Sequence, residues 1–69
     1  NEWLYTTWDV KEREIQEIAD KVKVANPDFH IDDIDYKESA DNSKVYIFEL
    51  EQGDNERQVT VDMNGNIIE

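Results

Sequence analysis

The sequence predicts an α+β fold: one helix packed on one face of a four-stranded antiparallel sheet, in the order strand, helix, strand, strand, strand. Three observations predict it. Ile15, Ile18, Ala19 and Val22 recur at i, i+3, i+4 and i+7, the stripe of an amphipathic helix. Other apolar residues alternate with polar ones, most clearly from Lys44 to Glu51. Gly53-Asp54-Asn55 and Asn64-Gly65 supply turn chemistry between the alternating runs. The chain has 69 residues, one proline, two glycines and no cysteine. That is one small domain over 1–69, complete in itself or one repeat of a longer protein. A chain of this size buries only about 60% of its unfolded surface, and no disulfide helps it.

The elements follow in order. Glu2 to Thr7 reads as a strand, rich in aromatic and β-branched residues. Asp9 is expected to end it and to open the helix through a capping box with Glu12. Glu17 precedes Lys21 by four residues, the favoured orientation for an ion pair on the helix surface. Asn26-Pro27 closes the helix, because the proline ring disfavours α geometry in the residue before it. Phe29 and Ile31 alternate, then Ile34 and Tyr36 alternate out of phase with them. One extra residue at Asp32-Asp33 would bring both pairs to one side as a β-bulge, or a bend would separate two short strands. Glu38 to Ser43 reads as a loop. Lys44 to Glu51 carries apolar residues on both faces, with Tyr46, Phe48 and Leu50 on one and Val45 and Ile47 on the other, as a central strand does. Arg57 to Met63 returns beside it. Asn64-Gly65 signals a type I′ turn, and Ile67-Ile68 begins a last short strand. The helix stripe should cover Tyr46, Phe48, Leu50, Val59, Val61 and Met63, leaving the other face of the sheet open.

Charge excludes several functions. Seven Lys and Arg stand against 18 Asp and Glu, a net charge of −11. Nucleic-acid binding rests on cations neutralising phosphates, so no nucleic-acid partner is expected. Residues 1–25 hold 4 basic and 6 acidic groups; residues 26–69 hold 3 and 12. The negative potential lies on the sheet half and favours a partner with a basic surface. No apolar run approaches the ~18 residues of a membrane span, and the chain shows no signal-peptide pattern. His30 is the single histidine and no cysteine accompanies it, so neither a metal nor a cofactor is expected. Asp32, Asp33, Asp35 and Glu38 form an acidic run with no nucleophile beside it, which reads as solvated charge. Asp62 to Asn66 places its glycine at the fourth position, unlike a calcium loop, and reads as a turn. No enzyme is expected.

Four stretches resemble the PepSY-like domains of the β-lactamase-inhibitor-protein-like fold. They are Glu2 to Val10, the helix end at Asn26-Pro27-Asp28, Lys44 to Leu50, and Val59 to Ile68. Tyr46 to Leu50 matches the family's Y-x-x-x-L strand, and Asp62 to Ile67 its D-x-x-G-x-I/L ending. The resemblance spans essentially the whole chain, here as a single module where relatives often carry tandem copies. It implies an exported bacterial protein, periplasmic or extracellular, without enzyme activity. It further implies a module that binds a protein or peptide through the open sheet face, in some cases as an inhibitor. Trp3, Tyr5 and neighbouring Tyr36 are the candidate contacts, since aromatic residues anchor interfaces; the same residues would otherwise fill core. Two rival readings stand beside this one: a structural or self-associating repeat joined by strand addition, and an inhibitor of the protease-propeptide kind.

Overall fold

The computed structural model describes residues 5–68. Four strands are present: β1 (Tyr5–Asp9), β2 (His30–Ser39), β3 (Lys44–Gln52) and β4 (Asn55–Val61). A 3-10 turn (Glu12–Ile15) and the helix α1 (Gln16–Ala25) lie between β1 and β2. The sheet order is β1-β2-β3-β4 and every pairing is antiparallel. The expected α+β class and element order are therefore present.

The helix forms where its apolar stripe can be buried. Ala19 and Val22 are fully buried, and Ile15 and Ile18 pack against the same cluster. The helix starts otherwise than the capping box predicts. β1 runs through Asp9, which pairs with Asp35, and the Val10 N–H donates to the Ile34 carbonyl at 2.9 Å. The sheet ladder thus claims the backbone that a cap would have to turn. Lys11 occupies the N-cap position of the 3-10 turn without a side-chain cap. Glu12 instead forms an ion pair with Lys23; both are exposed enough that the pair adds little stability. Lys21, expected beside Glu17, donates to the Asn64 carbonyl at 2.9 Å.

Asn26 does more at the helix end than precede a proline. It is buried, and its backbone N–H donates to the Val22 and Lys23 carbonyls. Its side-chain amide donates to the Val22 carbonyl at 3.1 Å, and its Oδ1 accepts from the Arg57 guanidinium. Arg57 also lies over the Phe29 ring, 5.1 Å from the centroid, a cation–π contact. One buried amide therefore ties α1 to β4.

The out-of-phase apolar pairs are joined by a bulge, not by a bend between two short strands. Ile31 pairs with Leu50 and Asp33 with Glu49, so Asp32 is the extra residue. Ile31 and Ile34 then share the face of Leu50 and Phe48. β2 continues to Ser39, beyond the expected loop start at Glu38, because Glu38 pairs with Lys44 and Ser39 with Tyr5. The tight turn that follows places Asn42 at φ 73°, a left-handed conformation that asparagine tolerates.

Gly53 and Asp54 join β3 to β4, with Gln52 and Asn55 as the closing pair. β4 ends at Val61, not Met63, which is 38% exposed. Asp62 is the reason. Its Oδ1 accepts from the N–H groups of Asn64 and Asn66, and its carbonyl from the Gly65 N–H. These bonds, the Asn66 N–H first, hold its carboxyl below the ordinary carboxylate range. Only Gly65 has positive φ here, at 89°, whereas a type I′ turn needs it at Asn64 as well. A Cβ on Gly65 would lie 2.9 Å from Lys21 Cδ, so the glycine also lets this turn seat on α1. The expected last strand reduces to one bridge, Ile67 to Val61, with the Ile68 N–H donating to the Thr60 carbonyl. The core is Ala19, Val22, Ile34, Phe48, Leu50, Val59 and Val61, all between α1 and one face of the sheet.

Candidate functional site: the bare face of the sheet

Register fixes which residues share a face, since paired residues stand side by side and neighbours along a strand point opposite ways. Trp8, Tyr36, Tyr46 and Val61 form one row across all four strands on the helix side. Asp9, Asp35, Ile47 and Thr60 therefore form a row on the reverse. Asp33, Glu49 and Gln58 follow one step along, and Glu51 pairs with Glu56 further on. Asp9, Asp33, Glu49, Glu56 and Gln58 are exposed; Val45 and Ile47 are half-buried. Among the described residues no element covers this reverse face.

Carboxylates crowd it because β1 and β2 set aspartates directly opposite each other. One oxygen from each of Asp9, Asp33 and Asp35 lies within 4.8 Å of the other two. Burial raises the Asp35 carboxyl above its ordinary range. The charge of Asp33, the hydrogen bond to Asp9, and the charges of Asp9 and Glu49 push it further the same way. Chemically, the three oxygens offer hard ligands to a cation, fewer than the six to eight that Ca²⁺ takes. His30 is not beside them. It pairs with Glu51 (Nε2 to Oε1 3.4 Å) toward the end of the face, about 7 Å along β3 from the Asp33 row and about 13 Å from the Asp35 row at ~3.3 Å per residue.

The acidic cluster sets the pH dependence of stability. Folding raises the Asp35 pKa, so the folded state binds that proton more tightly than the unfolded chain. Stability from this group is present near and below the ordinary aspartate value of about 4. It is lost as pH rises through the raised folded value. Asp41 and Asp62 are shifted down and act oppositely, losing their contribution as pH falls through their lowered values. We therefore expect the urea midpoint to rise as pH falls from 7 through the raised Asp35 value, then to drop below the ordinary aspartate value of about 4. Asp35→Asn should gain about 0.2–1 kcal/mol at pH 7, the scale for like charges directly opposite on a sheet, and flatten the rise. A midpoint highest at pH 7 in the unmodified chain would contradict this.

The three expected contacts fall differently. Tyr36 is not on the bare face. The bulge at Asp32 phases β2 so that Tyr36 joins Ile31 and Ile34 on the helix side. Its ring stands between Trp8 (4.6 Å between centroids) and Tyr46 (5.6 Å), with its hydroxyl 3.4 Å from Glu38 Oε1. Burial, then the Glu38 charge, raises its hydroxyl pKa. Trp8, the outer member of this row, is 50% exposed. Tyr5 pairs with Ser39 at the end of β1, but its side chain lies outside the described residues, as does Trp3 entirely. The sequence alone reads Asp9 as a helix cap and Ile47 only as a sign of a central strand, so neither is a candidate there. Setting β1 against β2 would have brought Asp9 beside Asp35, because both strands and their antiparallel order are legible.

No family model matches the chain, and neither curated proteins nor solved structures gave a match.

Proposed function

We propose that the chain is a non-catalytic module that binds another protein or peptide through the bare face of its sheet. The reading accords with the PepSY-like resemblance, and with it comes an exported bacterial setting, periplasmic or extracellular. One observation carries it: half-buried Ile47, beside Asp35 and one step from Glu49, and half-buried Val45, beside Lys37, sit on a face that no other described element covers. Aliphatic surface framed by charge is how protein interfaces are built, with an apolar centre and a polar rim. Inhibition of the bound partner is compatible with this mode, since a flat face can occlude what it covers.

A photoreactive amino acid placed at position 47 or at position 24 tests it. Val24 is 80% exposed on the outside of α1. On irradiation in extract of the source cells, position 47 should yield a discrete adduct and position 24 none. Adducts from position 24 alone, equal yields from both, or none from position 47 would refute the reading.

A further inference from the structure

We propose that the bare face docks a cationic extended segment of a partner protein, one whose sheet-facing alternate residues include Lys or Arg with an aliphatic residue between them. This rests on the reading of that face as a binding surface. The first ground is charge. Asp9, Asp33, Asp35, Glu49, Glu51 and Glu56 lie on this face by register, whereas the described cations of the same face are Lys37 and, when protonated, His30. Arg57 and Lys44 belong to the helix side, opposite Leu50 and Glu38. The molecule as a whole carries −11, so a second copy of this chain meeting it face to face would set like charge on like charge.

Spacing is the second ground. The Asp9, Asp33 and Asp35 oxygens are close enough to one another for one ammonium or guanidinium to reach all three. A second group, Glu49, Glu51 and Glu56, begins one register step away toward the Gln52–Asn55 end of the sheet. An extended chain places alternate side chains about 6.6–7 Å apart on one side. Cations four residues apart in such a segment, with an aliphatic residue between them on the same side, meet both groups. The third ground is Ile47, which pairs with Asp35 and Thr60 in the middle of the face. Its exposed carbons give the segment's aliphatic residues a place to be buried, which a metal ion or a bare polycation does not use. Charge-assisted hydrogen bonds from the heads fix the register, and the attraction weakens with salt.

NMR titration of the ¹⁵N-labelled chain tests this with three hexapeptides. One carries Lys, Val and Arg at alternate positions with Ser between them; the others replace the cations by Glu or by Ser. Only the cationic peptide should bind, shifting the amides of Thr7, Asp35, Ile47 and Thr60. Its affinity should fall several-fold between 0.05 and 0.5 M salt, and about fivefold in an Asp35→Asn/Glu49→Gln double variant. If the Ser peptide binds the same face equally well, the cationic inference fails while the binding-face reading stands. Shifts confined to Trp8, Tyr36 and Tyr46 overturn both. Equal shifts and affinity with spermine overturn the extended segment. Absence of binding by the cationic peptide at millimolar concentration overturns the inference, and adduct formation at position 47 then judges the coarser reading by itself.

Discussion

Phe48→Ala should cost about 3–5 kcal/mol, the range for emptying a buried aromatic site. Phe48 is fully buried, stands between Ile34 and Val59 in register, and belongs to the cluster that Ala19 and Val22 complete from α1. No neighbour on a strand can move into the space without breaking its own pairing, so the cavity remains and its penalty adds to the lost transfer energy. Native stability of roughly 0.05–0.15 kcal/mol per residue puts the whole domain on the scale of this single loss. The variant should be largely unfolded at 37 °C, seen as a urea transition moved to very low denaturant. Ile47→Ala, one residue away on the opposite face, should cost under about 1.5 kcal/mol because its side chain is only half-buried. Equal losses from the two would mean that the core does not lie between helix and sheet as described.

Most of the fold was legible because it is written in short-range patterns. The helix stripe, the alternation of β3 and the glycine of the β3–β4 turn each report a local period or a local φ requirement. The phase slip at Asp32 was legible for the same reason, and pairing with β3 decides for a bulge over a bend. What sequence reasoning misplaced depends on pairing between distant segments. Asp9 followed by Glu12 satisfies the local rule for a helix cap, yet the ladder to Asp35 and Ile34 takes the backbone first. Met63 continues the alternation of β4, but the Asp62 carboxylate gathers the next N–H groups and turns the chain. Asn26 looked like a helix terminator, and its bond to Arg57, 31 residues on, has no local signature.

The candidate site divides along the same line. That one face of the sheet would be left open was readable from a single helix set against a four-stranded sheet. Its content was not, because a face mixes residues from strands far apart in sequence. Aspartates at 9 and 35 become neighbours only when β1 lies on β2. Tyr36 was drawn to the wrong side by placing it with the first strand's aromatics rather than following the bulge to Ile34.

Among the described residues, α1 seals one face of this sheet and leaves the reverse to solvent. The absence of cysteine makes it directly measurable. Thr60→Cys and Val61→Cys are adjacent in β4 and close to native size, and their side chains point to opposite faces. Val61 is fully buried and Thr60 is on the bare side. A thiol reagent should label Cys at position 60 at the rate of an accessible thiol. At position 61 it must wait for unfolding, and a stability of only 3 kcal/mol already slows it about 100-fold. A ratio of about 100 or more between the two rates is expected. Similar rates, or faster labelling at position 61, would contradict it.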